Sequence, residues 1–236
     1  MQDRVVIITG GGGGVGRVVT KRWLAEGARV LIAEARQDPI DALISCAGEH
    51  AGRIAGVAVD LTTEAGAAQM VAEAERIFGQ PPDTLIHLVG AFRMGRLADA
   101  DAPAIWNTMI AVNLNSAFYS YRAILPALRS RGGGWIVGLG ARAALAPPAR
   151  LAAYAASKAG LLALTQSLAD EVKAEGIHVN LLLASTIDTP ANRKAMGDAA
   201  AAAWVRPDDI ADATLYLCSE RAAAVYGATL EVYAQA

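Results

Sequence analysis

The sequence predicts an α/β chain built on one doubly wound parallel sheet of seven strands, with helices on both faces. Three observations predict it. The stretch Val5 to Gly16, VVIITGGGGGVG, is a run of β-branched residues that breaks into glycine, and apolar residues at helical spacing follow (Val15, Val18, Val19, Trp23, Leu24). Further short apolar runs then alternate with helical stretches to the end of the chain. The composition is 54% hydrophobic and rich in Ala and Gly, which suits strands buried on both faces under closely packed helices.

A glycine-rich turn between a strand and a helix has a chemical meaning. Glycine permits positive φ and close approach of a ligand, and the following helix points free N–H groups and a partial positive charge at an anion. A dinucleotide pyrophosphate fits that description. The spacing, Thr9-Gly10, three residues, then Gly14-Val15-Gly16, reads TGxxxGxG and resembles the cofactor fingerprint of the short-chain dehydrogenase/reductase family. That resemblance covers essentially the whole chain. It implies one Rossmann-type dinucleotide-binding catalytic domain over 1–236, a small-molecule substrate, and pairing of copies into a homodimer or homotetramer.

The elements follow in order. Arg29 to Ala33 is the second strand, and Glu34 stands at its end, where an acidic residue accepts hydrogen bonds from the adenosine ribose and repels a 2′-phosphate. Gly13 occupies a place where NADP-preferring relatives carry a basic residue. NAD is therefore favoured over NADP, with Arg36 as a partial offset. Pro39 to Ala47 is a short helix, and Ile54 to Val59 a third strand ending at Asp60. In the family, the pair Asp60-Leu61 flanks the adenine. Thr63 to Phe78 is helical, and Thr84 to Val89 is the fourth strand, followed by Gly90. The family's Asn-Asn-Ala-Gly turn is here His87-Leu88-Val89-Gly90, so only the glycine is kept. His87 then reads as a structural replacement for an asparagine that ties neighbouring strands, ahead of a catalytic histidine. Pro103 to Arg129 is one long helical stretch. It contains Asn113, matching the family's helix asparagine, whose backbone holds a water against the catalytic lysine. Trp135 to Leu139 is the fifth strand, His178 to Leu183 the sixth and Ala228 to Tyr233 the seventh. Between the last two, residues 184–206 form a substrate lid with a small alanine-rich helix, and Pro207 with Asp208 and Asp209 opens the last long helix.

Tyr154 and Lys158, in YAASK, form the chemical centre. Four residues apart on a helix, they share one face. A free tyrosine has a pKa of about 10, and a neighbouring ammonium is expected to lower it, which makes a usable general acid. The resemblance implies that Lys158 also holds the nicotinamide ribose, and that Ile187 and Thr189 contact the carboxamide. The family's serine, thirteen residues before the tyrosine, is here Ala141, with Gly140 beside it. Losing such a donor to the substrate oxygen costs on the order of a hundredfold in rate for a demanding carbonyl. The run DTPANRKAM, containing Asn192, resembles the same region of quinoid dihydropteridine reductases, a branch that also lacks the serine. There an aromatic after the fourth strand stacks on the pterin, and Phe92 falls at that place.

Bulk properties remove other function classes. A net charge of −2 invites neither nucleic acid nor an anionic membrane. No apolar run approaches the ~18 residues that span a bilayer, and MQDRVVIITG has no basic region or cleavage site of a signal peptide, so a cytoplasmic location is expected. Cys46 and Cys218 suggest no disulfide framework, and His50, His87 and His178 have no metal-ligand spacing. Three readings stand: NAD-dependent hydride transfer to a small carbonyl, quinonoid or pterin-like compound; an ordinary ketone or 3-oxoacyl reductase with a substitute for the missing serine; and a non-catalytic NAD-binding protein.

Overall fold

The computed structural model describes residues 1–235. Its frame is one parallel seven-stranded sheet: β1 (Val5–Thr9), β2 (Arg29–Glu34), β3 (Ile54–Ala58), β4 (Thr84–His87), β5 (Gly134–Ala141), β6 (Ile177–Ala184) and β7 (Thr229–Val232), in the order β3-β2-β1-β4-β5-β6-β7. The helices are α1 (Gly16–Ala25), α2 (Gln37–Ser45), α3 (Glu64–Phe78), α4 (Ala102–Ile110), α5 (Ser116–Ser130), α6 (Ala152–Val172), α7 (Pro190–Met196) and α8 (Pro207–Leu217). Strand alternation divides the core. Val5 and Ile7 of β1 join the cluster under α3, α5 and α6, whereas Val6 and Ile8 join the one under α1, α2 and α8, around the fully buried Trp23. The strand order reverses between β1 and β4, and the crevice above such a switch is where doubly wound sheets bind ligands.

Several boundaries differ from the sequence reading. The stretch Pro103–Arg129 is two α-helices separated by a π-helical turn, Ala111–Asn115. β5 runs on to Ala141 because its register with β6 continues to Ala184. β4 stops at His87, so Leu88 to Gly90 leave the sheet. A 3-10 segment, Gly48–Arg53, precedes β3, and the alanine-rich segment of 184–206 contributes only the 3-10 turn Ala201–Ala203. That region also holds α7 and is drawn together at its base by a bridge between Ile187 and Val205.

The N-terminal rim of the sheet is closed by paired groups. Buried Asp83 accepts from the Val5 amide (3.1 Å) and the Thr84 hydroxyl (2.7 Å). The Arg4 guanidinium lies 3.7 Å over the Trp135 ring and donates to the Cys218 carbonyl. Trp135 stacks on His178, and His178 on Tyr226 with centroids 4.1 Å apart. Asn180 accepts from the Ala228 amide and donates to the Val225 carbonyl, pinning the approach to β7.

Candidate active site

Where β1 ends, the chain turns through glycine because nothing larger fits. Gly10 has φ +69°, and a Cβ on Gly16 would lie 1.9 Å from the Gly10 carbonyl. Gly13 and Gly14 are exposed at the rim, and Gly14 approaches Thr189 so closely that a Cβ would stand 3.2 Å from that side chain. The cap position of α1, Val15, offers no side-chain hydrogen bond, and the first turn has no acid. The Arg17 and Val18 amides turn back to the Gly13 and Val15 carbonyls, which leaves the amides of Gly14, Val15 and Gly16 at the crevice, the arrangement a phosphate needs. Glu34 arrives from the end of β2, and its carboxylate accepts from the Gly12 amide at 2.6 Å. Burial raises its pKa, opposed by the Gly12 and Gly13 amides and by Arg36.

Two of the expected cofactor residues are spent elsewhere. Thr9 is fully buried, and its hydroxyl accepts from the Leu88 and Val89 amides at 3.1 and 3.4 Å, joining β1 to the exit of β4. It shapes the floor without offering its side chain to a ligand. Leu61 is buried in the core at 5% exposure, since the chain past β3 must cover Val59 and Ala67. Asp60 alone reaches the rim, where the Thr62 hydroxyl (2.6 Å) and amide (2.9 Å) hold its carboxyl below the usual range.

His87 has the structural role. Its Nδ1 is 3.0 Å from the Thr9 hydroxyl and its Nε2 3.2 Å from the Ser116 hydroxyl. The Thr9 oxygen already accepts two amides, so its proton goes to Nδ1. The Ser116 hydroxyl donates to the Val112 carbonyl at 2.5 Å, so it accepts from Nε2–H. Those donors dictate one neutral tautomer. Burial, with Lys158 nearby, lowers the imidazole to about 3 and keeps it neutral.

Tyr154 and Lys158 lie one turn apart on α6. The Lys158 ammonium donates to the Leu139 carbonyl at 2.8 Å and sits against Gly90, where a Cβ would be 3.3 Å away. A side chain there would crowd the Asn113 Oδ1 and the Lys158 ammonium. Asn113 was expected to act through its backbone, and the structure adds a role for its side chain. Its Oδ1 accepts from the Ala91 amide (2.7 Å), while Nδ2 donates to the Ala91 carbonyl (3.0 Å) and the Ser157 hydroxyl (2.9 Å). Ser157 in turn donates to the Tyr154 carbonyl at 2.7 Å. Asn113 therefore clasps the segment leaving β4 to the helix that carries Tyr154. Sequence reasoning missed Ser157, although it lies inside the YAASK motif.

The expected direction of the tyrosine shift is overturned. Burial pushes the Tyr154 phenol up to about 12 and the Lys158 amine down to about 8. Desolvation disfavours both charged forms, and the ammonium is engaged by Leu139. The Phe92 ring meets Tyr154 edge to face at 5.0 Å and is half exposed, so it stands at the mouth. Ala141 ends β5, buried at 9% exposure, and a side chain at Gly140 would strike Leu183 at 2.6 Å. No hydroxyl enters from that strand.

The segment after β6 crosses the same rim. Thr189 caps α7 by accepting from the Asn192 amide at 3.2 Å. Asn192, expected at the substrate, donates its side chain to the Ile187 carbonyl at 2.7 Å and holds its own turn. Arg193 grips Asp188 with two hydrogen bonds (2.6 and 2.7 Å) and Asp198 with a third. Among the described residues, no three His, Cys, Asp or Glu side chains are grouped to hold a metal ion, and no helix is long and apolar enough to cross a membrane.

Comparison with known proteins agrees with this fold. The family model described as short chain dehydrogenase matches residues 4–199. The chain is 30% identical to 2-(S)-hydroxypropyl-CoM dehydrogenase 3 of Xanthobacter autotrophicus, over 98% of this chain and 96% of that protein. It is also 30% identical to (3R)-3-hydroxyacyl-CoA dehydrogenase of Mus musculus, over 98% and 95%. Among solved structures, 3-ketoacyl-(acyl-carrier-protein) reductase from Brucella melitensis, complexed with NADH, superposes with a TM-score of 0.88 at 27% identity, covering 98% of this chain and 97% of that one.

Proposed function

This chain belongs to the short-chain dehydrogenase family of NAD(P)-using oxidoreductases, and from that premise we propose that it reduces a small carbonyl or quinonoid compound with NADH. The observation that carries the reading is the Tyr154–Lys158 pair on one face of α6, beside Phe92, at the rim where the glycine turn opens. The residues fit the dinucleotide. The exposed Gly13 and Gly14 and the uncapped start of α1 receive its pyrophosphate, Glu34 takes the ribose hydroxyls, Asp60 borders the adenine, and Ile187 and Thr189 face the carboxamide. When bound, the nicotinamide supplies hydride. Tyr154, a neutral phenol at physiological pH, holds the proton that the substrate oxygen receives. Lys158, still largely protonated below pH 8, swings from Leu139 toward the ribose and the phenolate and offsets the charge left on the tyrosine. Asn113 and Ser157 keep the helix and the β4 exit at fixed separation.

Ala141 gives the substrate oxygen no hydroxyl partner, which favours a substrate whose ring or conjugation already accepts hydride readily, with Phe92 packing on it. Glu34 and the bare Gly13 favour NADH over NADPH. Residues 184–206 close over the site as a lid, and the half-exposed Phe118 on α5 suits pairing of copies into a dimer or tetramer.

The test is loss of NADH absorbance over a panel of quinonoid dihydropterins, quinones, simple ketones and 3-oxoacyl thioesters. Turnover is expected on the quinonoid members and faster with NADH than with NADPH. A protein that binds NADH and turns over no member is a binding protein. Fast reduction of simple ketones points to a substitute for the serine.

A further inference from the structure

A small hollow opens beside the segment that carries Phe92 and the start of α6. Its walls are the loop that follows Phe92, the first turns of α4, and the loop that leads into α6. Arg93 sits next to Phe92, and the α6 wall ends at Ala153, next to Tyr154. Arg93, Arg96 and Arg150 all line it. The two loops are fixed to each other by the Gly95 amide donating to the Arg150 carbonyl at 2.9 Å. Arg150 holds φ +67°, a left-handed backbone uncommon for a residue with a side chain.

All three side chains are exposed. Among the described residues, no ion pair with a carboxylate involves Arg93, Arg96 or Arg150. The acid closest in sequence, Asp99, turns its carboxylate to the Arg96 amide at 2.8 Å, and Arg93 donates to the Phe92 carbonyl. Three like charges around one hollow raise the local potential for an anion, and the planar guanidinium fork matches a carboxylate. The remaining wall is apolar: Leu97 is 83% exposed and Trp106 46%. The cavity volume is about 30 Å³, the size of a ligand's head rather than of a whole ligand.

We propose that this hollow is an anion subsite, and that the substrate is a keto or quinonoid compound carrying a carboxylate on a short apolar stem. The stem crosses Phe92 and Trp106 while the reacting oxygen reaches Tyr154. The assignment of substrate class rests on the reading of Tyr154 as proton donor, but the binding of an anion does not.

The experiment has two arms. The first compares laevulinate and longer keto acids with their methyl esters as NADH-dependent substrates, for the parent and for the double variant Arg96→Gln/Arg150→Gln. The expected result is a kcat/KM about tenfold higher for an acid than for its ester, carried mainly by KM and shrinking as salt is raised. In the double variant the acid-to-ester ratio falls to near one. Equal use of acid and ester by the parent, or a preference that survives in the variant, overturns the proposal. The second arm needs no turnover: calorimetric titration with hexanoate and with hexanamide. Hexanoate is expected to bind the parent and not the variant, and hexanamide neither. Hexanoate binding without reduction of any ketone keeps the subsite and removes the reductase reading. Ketone reduction without hexanoate binding or acid preference does the reverse. A matching melting temperature for parent and variant excludes misfolding as the cause of a loss.

Discussion

The two ends of the sheet are made from the same strands and treated oppositely. At the N-terminal rim, charged and aromatic groups are matched: Arg4 over Trp135, Trp135 on His178, His178 on Tyr226, and Asp83 on the Val5 amide. At the C-terminal rim, the strands open into glycine, an uncapped helix start, a buried ammonium and half-exposed Phe92 and Met94. Burial tells at both ends: it raises the Asp83 carboxyl and leaves the Trp135 Nε1 without a hydrogen-bond partner among the described residues at the first, and raises the Tyr154 phenol and lowers the Lys158 amine at the second. The difference teaches that one rim is spent on packing and the other on presenting groups to a ligand.

The sharpest test of that division is a pair of variants. Tyr154→Phe, at the open rim, is expected to lower turnover by about 10²–10⁴-fold with an unchanged melting temperature and unchanged NADH affinity. Trp135→Ala, at the closed rim, is expected to destabilise by about 2 to 3 kcal/mol while kcat per folded molecule stays the same. Denaturant unfolding and steady-state kinetics on both proteins read this directly. A stability loss in the first or a kinetic loss in the second breaks the comparison.

Lys158 gives a smaller and pH-dependent effect. Its amine lies near 8 in the folded protein, against 10.5 for the free side chain. Because that folded value is depressed, the unfolded chain binds more protons between pH 8 and 10.5, and stability rises with pH across that window. Below pH 8 the buried ammonium costs the fold on the order of 3 kcal/mol. Lys158→Met is thus expected to be more stable than the parent at pH 7, inactive, and to lose most of that advantage by pH 10. Urea unfolding at the two pH values checks the sign.

The smallest expected change is at Glu34. Glu34→Gln removes the charge that repels a 2′-phosphate and is expected to shift the NADH-to-NADPH affinity ratio by about tenfold toward NADPH. Since burial raises the Glu34 pKa above 4.5, the parent's preference should also weaken as pH falls toward that raised value, and the variant's should not. Fluorescence titration of both cofactors measures each ratio.

The strands were legible because a parallel sheet covered on both faces needs unbroken apolar runs, and VVIIT and RVLIA supply them. The glycine turn was legible because steric demand leaves no substitute at Gly10 and Gly16. What escaped is what burial and distance decide. The sign of the Tyr154 shift depends on desolvation, which no spacing of residues contains. The commitments of Asn192 to Ile187 and of Thr9 to the β4 exit are choices of a hydrogen-bond partner, and a motif names the residue without naming the partner. Arg93, Arg96 and Arg150 come from loops that only the fold brings together.

The π-helical turn at Ala111–Asn115 has one more consequence. It takes up one residue more than an α-helical path would, so everything after it is rotated by about 100° relative to an uninterrupted helix. Met109 before the turn, Asn113 within it, and Ser116, Ala117, Ser120 and Tyr121 after it are all buried. The clasp is therefore written partly in residue count. A scan that exchanges residues one at a time passes over this dependence, whereas deleting Ala111 or Val112 closes the bulge and turns Asn113 by about 100° relative to α4. In this segment a deletion is expected to be as decisive for the clasp as the loss of the asparagine itself.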